Sequence, residues 1–213
     1  MDPAALNDRL QRGLGQAARH LGGPYDTYRP AGPAAPLAPA NRFLRLHASF
    51  SAGVPGYRKP ALPGHPLWCG LFDAAYTQPG DYLVGEIGTL FVAAQPPLSP
   101  VLCVLANRTL SFTRPAAPAA AGINAYGGDV PGSARLLCSG WPASVVAAAN
   151  ATSGPARLPT DAPMPRFTVL LPAACAMLRT GDVMQDDLGH GCIVSAAELS
   201  ATGWRLMVRE VVS

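Results

Sequence analysis

The sequence has little charge, a single lysine and no long apolar run. Asp, Glu, Lys and Arg make up 14% of the 213 residues, compared with about 25% in typical soluble domains. Lys59 is the only lysine among sixteen basic residues, which are spread along the chain. No apolar stretch reaches the roughly 18 residues of a membrane helix. We therefore expect no membrane span and no direct nucleic-acid recognition.

The sequence also lacks a C-x-x-C pair, a Gly-rich phosphate loop and a basic-then-apolar leader. Five scattered cysteines predict separate, reduced and buried thiols rather than a disulfide framework. The chain opens with Met1-Asp2-Pro3 followed by polar residues, so we expect a soluble product synthesised in the cytoplasm. No pattern calls for a cofactor or a metal.

Glycine and proline are abundant, at 22 and 23 residues. This composition favours short strands joined by turns over a helical bundle. We predict strands at residues 43–50, 81–84, 89–94, 101–105, 109–113, 134–138, 166–171, 183–185, 192–196 and 204–211. The predicted fold is mainly β: one or two small β-barrel or sandwich modules with an N-terminal amphipathic helix and a Pro-rich extended arm.

Residues 1–41 are predicted to form the helix and the arm. Leu6, Leu10 and Leu14 recur at helical spacing, and this face packs on its own domain or on a neighbouring subunit. Residues 30–40 are rich in Pro and Ala, which predicts an extended arm without internal hydrogen bonds. We expect helix and arm to be mobile in the free protein. Residues 42–114 and 122–213 would be two β modules, or together one combined domain.

Two segments of the chain resemble each other. Residues 80–94 align without gaps on residues 181–195, and the match extends to residues 98–99 and 199–200. Each begins with Gly-Asp and a strand, turns at an acidic residue, an aliphatic residue and Gly, and returns as a strand. Such turns use glycine for positive φ and a carboxylate to accept amide hydrogen bonds. The interpretations are duplication of a small barrel or sandwich, or chance similarity of two hairpins.

Few residues are candidates for chemistry. Cys69 with His47 or His65 could form a thiol hydrolase site, although sequence proximity does not show that a base lies beside the thiol. The acidic cluster of residues 182, 186 and 187 is open to two interpretations, a divalent-cation site or a turn held by side-chain to backbone hydrogen bonds. We favour the turn, and we expect no enzyme activity.

Apolar and aromatic residues offer candidate contacts with other proteins. The helix contributes the leucines named above, and several aromatic residues lie in or beside predicted loops, where such residues often anchor interfaces. The candidate interface is Leu6, Leu10, Leu14, Tyr25, Tyr28, Tyr57 and Trp68. Tyr57 and Trp68 would also be the site in the alternative hypothesis, a β-barrel module that binds a peptide or glycan.

The C-terminal third carries a distinctive series of short motifs. They are LRTGDV at residues 178–183, DLG at 187–189, IVSAAE at 193–198 and GWRL at 203–206. The series resembles small β-barrel neck, tail or head-completion proteins of tailed bacteriophages. It covers about forty residues, and the helix and arm lie outside it.

This resemblance implies a non-enzymatic virion protein with no catalytic residues to carry over. Such a protein would be made in the host cytoplasm and form part of the head-to-tail connector or tail. Its expected partners are copies of itself in a cyclic ring and other virion structural proteins. Low charge and high apolar content agree with surfaces that assembly buries.

Overall fold

The structure, a computed structural model, describes residues 2–52, 66–116, 133–148 and 165–211. Within these residues one α-helix, α1 (Pro3–Leu21), precedes twelve strands. The first six are β1 (Gly23–Tyr28), β2 (Arg42–Ala52), β3 (Leu67–Leu71), β4 (Tyr82–Gly85), β5 (Gly88–Ala94) and β6 (Val101–Leu105). The others are β7 (Arg108–Arg114), β8 (Arg135–Ala147), β9 (Arg166–Leu171), β10 (Val183–Asp186), β11 (Gly191–Ser200) and β12 (Gly203–Glu210). The mainly β prediction is confirmed.

The strands form two closed antiparallel barrels with the same topology. Barrel 1 has the order β1-β2-β3-β6-β5-β4 and barrel 2 the order β7-β8-β9-β12-β11-β10, each closing on its first strand. Closure pairs every described strand on both sides, so neither barrel is an open sheet. Each strand of barrel 1 therefore has a counterpart at the same position in barrel 2.

Barrel membership differs from the expected module boundaries in two places. The segment Gly23–Tyr28, assigned to the N-terminal helix and arm, is β1 of barrel 1, and Arg108–Arg114, assigned to the first module, is β7 of barrel 2. The strands β1 and β3 were not predicted. In β1 only Tyr25 and Thr27 are buried, so the alternation is too short to detect beside Gly-Pro.

The two barrels share irregularities as well as strand order. The register of β5 shifts between Val92 and Ala94, and that of β11 shifts between Val194 and Ala196. A β-bulge is a specific local device that bends a strand, so its occurrence at matched positions indicates one repeated structural unit. Of the two interpretations of the sequence repeat, the topology favours the duplicated barrel.

The gapless sequence alignment of the two hairpins does not match the structure after the turn, where the second hairpin is one residue longer. Gly85 pairs with Gly88 across a two-residue turn, whereas Asp186 donates its backbone N–H to His190 across a longer one. The amide of Val92 donates to the carbonyl of residue 81, and in barrel 2 it is Val194 that donates to residue 182. The second copy thus contains one extra turn residue.

Helix α1 packs on barrel 1, but not through the whole leucine face that the sequence predicted. Ala18 is fully buried, and buried Gln11 accepts a hydrogen bond from the Ala74 amide at 3.2 Å. Gly15 allows close approach to the barrel, because a Cβ added there would lie 3.0 Å from the Cβ of Asp73. By contrast, Leu6 and Leu21 are 41% and 70% exposed. The helix therefore packs on its own domain and still leaves apolar side chains at both ends.

The composition of the Pro-rich arm predicted a free extended segment. In the structure the arm is instead hydrogen-bonded to barrel 2. Pro33 accepts hydrogen bonds from the Ser139 amide at 3.0 Å and from the Trp141 indole N–H at 2.7 Å. Ala35 donates to Ser139, and the amide of Ala38 donates back to Ala35. Because the β1–β2 connection is bonded to barrel 2 and within itself, we now expect it to resist hydrogen exchange.

Candidate functional site: the joint between the barrels

A buried carboxylate anchors the same corner of each barrel. Asp81 accepts from the Nε and Nη2 of Arg29 at 2.9 and 2.7 Å and from the Gln78 amide at 2.9 Å. Asp182 accepts from the Nε and Nη2 of Arg114 at 2.7 and 3.0 Å and from the Arg179 amide at 2.7 Å. Both aspartates are 1% exposed. The Gly-Asp repeat in the sequence marks this anchor.

Each anchoring arginine also holds the loop before β4 or β10. The Nη2 of Arg29 donates to the Tyr76 carbonyl at 3.3 Å, and that of Arg114 donates to the Met177 carbonyl at 2.9 Å. Hydrogen bonding to the carboxylate raises the pKa of both guanidinium groups. The side chains of Tyr76 and Met177 are 66% and 64% exposed. Matched bonds thus present an apolar side chain at the same place on both barrels.

The barrels are joined by a continuous core. Tyr82 of β4 is fully buried, and its hydroxyl donates to the Pro142 carbonyl of β8 at 2.8 Å. Its ring centroid lies 6.1 Å from Phe91 in barrel 1 and 6.2 Å from Trp141 in barrel 2. Burial raises the pKa of the Tyr82 hydroxyl well above its usual value, so it is a neutral donor. This packing fixes the barrels against each other.

A cleft of about 330 Å³ lies beside this joint. Phe91 and Leu102 of barrel 1 and Leu170 and Trp204 of barrel 2 form much of its apolar wall. The Trp204 indole N–H is buried and has no acceptor among the described residues. Polar side chains such as Glu198 also line the cleft. Its volume is within the range of small-ligand sites.

The predicted interface residues do not form one surface. Tyr25 is 3% exposed and packs in the core of barrel 1, where its ring lies 5.0 Å from Phe50. Tyr28 and Trp68 are half-buried against the two cores. Leu10 and Leu14 are half-buried on the helix, and only Leu6 among the described set is exposed. Tyr57 lies outside the described residues.

The geometry gives little support to a thiol hydrolase. Cys69 pairs with Ser51 across β2 and β3, and His47 lies four residues further along β2, about 13 Å away by strand rise. Burial raises the pKa of Cys69, the opposite of what a nucleophilic thiolate requires. Burial also raises the pKa of Cys192 to about 11. His65 lies outside the described residues.

Asp182 and Asp186 of the acidic cluster have different structural roles. Asp182 is the anchor of barrel 2, whereas Asp186 caps the β10–β11 turn by accepting from the amides of Leu188 and His190 at 3.0 and 2.8 Å. Asp186 also contacts the His190 ring at 3.1 Å. Although burial acts to raise it, the pKa of Asp186 is lowered by these hydrogen bonds. The described residues contain no group of three or more His, Cys, Asp or Glu suited to a metal ion.

Comparison with known proteins gives no assignment. The chain matches no family model, no curated protein and no solved structure. Among the described residues, no helix is long and apolar enough to cross a membrane.

Sequence reasoning missed the two arginine anchors and the joint at Tyr82. The repeated Gly-Asp pair was the available signal for the anchors, whereas the joint depends on packing between distant strands.

Proposed function

We propose that this chain is a non-enzymatic structural subunit of a tailed-phage virion that assembles as a multi-copy ring in the head-to-tail connector or tail. The resemblance of the C-terminal motifs supplies the phage context. The structural observation that carries the proposal is the repetition of exposed apolar residues at matched positions of two fused barrels. The virion would be its final location, after synthesis in the host cytoplasm.

The matched positions lie at opposite ends of the same strands. Tyr76 and Met177 precede β4 and β10, and Ile87 and Leu188 form the turns after them. Ile87 and Leu188 are 42% and 59% exposed. Single exposed apolar residues are common on soluble proteins. Their recurrence at both ends of both barrels gives four contact points for neighbouring copies or other virion proteins, and head-to-tail contacts between copies close into a ring when the rotation between them allows it.

The proposal is tested by the mass of the purified chain and of a double variant. Light scattering and electron microscopy should show a closed oligomer, and Ile87→Glu with Leu188→Glu should shift it to smaller species because charge opposes burial of these tips. The matched control is Leu136→Glu, since Leu136 is 57% exposed and its counterpart in barrel 1 is Arg42. A compact monomer at every concentration, or equal effects of control and double variant, would count against the proposal.

The cleft beside the joint favours one second candidate, a module that binds a peptide through an apolar side chain. Its apolar wall would cover such a side chain, and the free indole N–H of Trp204 would be available to a peptide carbonyl after a small rearrangement. Titration of a peptide library, followed by tryptophan fluorescence, tests this candidate. Saturable binding that Leu170→Ala weakens would support it, and the absence of any saturable signal would rule it out.

A further inference from the structure

Two of the five cysteines lie against each other in the core of barrel 2. The Sγ atoms of Cys138 and Cys175 are 2.7 Å apart, and the residues are 2% and 4% exposed. Cys138 is in β8, and Cys175 is in the connection between β9 and β10. No other pair of cysteine sulfurs is in such contact among the described residues. Scattered positions in the sequence had predicted five separate thiols.

The separation of these sulfurs is not that of two independent thiols. Non-bonded carbon atoms settle at about 3.5–4.0 Å and sulfur is larger than carbon, whereas a disulfide bond is about 2.05 Å long. A distance of 2.7 Å lies between the two. The two sulfurs are therefore within a short movement of bonding distance.

We propose that Cys138 and Cys175 are a disulfide-forming site that becomes cross-linked when barrel 2 folds in an oxidising environment. A small disulfide of the glutathione class would serve as the oxidant. Both thiols lose their hydrogens, one S–S bond forms between the cysteines, and the S–S bond of the oxidant breaks. The two electrons and two protons leave in two molecules of the reduced small thiol, so the exchange balances.

Burial determines when this exchange occurs. The thiolate is the attacking species in thiol–disulfide exchange, and burial together with the neighbouring Cys138 sulfur raises the pKa of Cys175 far above its usual value. Exchange in the folded protein is therefore slow, and it is fast while barrel 2 is forming. Once formed, the bond is shielded from small reductants by the same burial. The cross-link, called the staple below, would form once during folding and would not be reduced and re-formed rapidly.

The staple would tie β8 to the connection that carries the barrel 2 anchor. The cysteines are 37 positions apart, and a cross-link over a loop of this size favours the folded state by roughly 10²–10³-fold through the entropy of the unfolded chain. The counterpart of Cys175 in barrel 1 is Ala74, so barrel 1 has no equivalent pair. The staple is therefore a property of the second copy alone.

The test is to refold the chain in a buffer of oxidised and reduced glutathione and then alkylate all thiols in denaturant. Intact mass should show three alkylated cysteines of five, and peptide mapping should find Cys138 linked to Cys175. Cys103→Ala, the matched control, should still lose two thiols to the bond, whereas Cys175→Ala should lose none. Five alkylated thiols, glutathione adducts or a different pairing in the wild-type chain would overturn the proposal without requiring any variant to fold.

Discussion

Replacing the buried anchor of barrel 1 with its neutral isostere, Asp81→Asn, should destabilise the protein by about 2–3 kcal/mol. The carboxylate accepts three hydrogen bonds, two from Arg29 and one from the Gln78 amide. An asparagine oxygen in the Oδ2 position can keep the bonds to Nη2 and to the Gln78 amide, but its amino group then faces the Nε donor of Arg29. Each lost bond to a charged group is worth about 1.5–3 kcal/mol in a buried setting.

Solvent exposure of Arg29 reduces the expected loss of stability. The Arg29 side chain is 42% exposed, so its freed Nε–H can bond to water, and its Nη2 keeps the Tyr76 carbonyl as an acceptor. We therefore count the lost Nε bond at less than its buried value and assign the rest of the effect to the loss of the carboxylate charge that the guanidinium and the Gln78 amide face. For a chain of this size the expected fall in Tm is about 4–12 °C.

The control is the same substitution at an exposed ion pair. Asp26 lies 2.7 Å from Arg42, and the two side chains are 30% and 45% exposed. Surface pairs of this kind contribute at most about 1 kcal/mol, so Asp26→Asn should have a much smaller effect. The assay is urea unfolding of both variants followed by circular dichroism. Equal midpoints for the two variants would refute the argument that burial of the carboxylate makes Asp81 an anchor.

Three further predictions concern the joint, a turn and acid stability. Tyr82→Phe should lower the free energy of unfolding by about 1–2 kcal/mol, measured by urea denaturation, because a buried carbonyl loses its donor. Gly203→Ala should lower Tm more than Gly191→Ala does, since a Cβ at Gly203 would lie 2.5 Å from a backbone oxygen at a φ of +109°, whereas the space at Gly191 is open. The lowered pKa of Asp186 contributes stability that is present above its unfolded pKa and is lost as pH falls through the folded value. Asp186→Asn should therefore flatten the acid limb of a stability–pH profile, and an unchanged limb would contradict the assignment.

Much of the fold was accessible from the sequence because strand signals are local. The bounds Val101–Leu105 and Arg166–Leu171 were predicted as they stand, since both are runs of apolar or β-branched residues between turns. The extent of β8 was underestimated, because Gly140 and Pro142 within it are typical of loops. Gly140 has a φ of +72° and bends the strand where the arm docks, which is a tertiary requirement.

The site was less predictable because it depends on contacts between residues far apart in the sequence. The link from Tyr82 to Pro142 spans 60 positions, and that from Trp141 to Pro33 spans 108. Composition indicated a free arm, yet the indole N–H that holds the arm belongs to Trp141 of barrel 2. The aromatic residues near predicted loops could not be divided into buried and exposed ones, so Tyr25 was proposed as a contact although it is buried.

The most direct test of the proposed role is mass spectrometry and cryo-electron microscopy of phage particles produced by the cell that encodes this chain. We predict that the chain is present in several copies per particle, with two linked barrels of this topology visible in the neck or tail density. Recovery of the chain only as a monomer in the lysate, and its absence from purified particles, would contradict the structural role and direct attention to the cleft between the barrels.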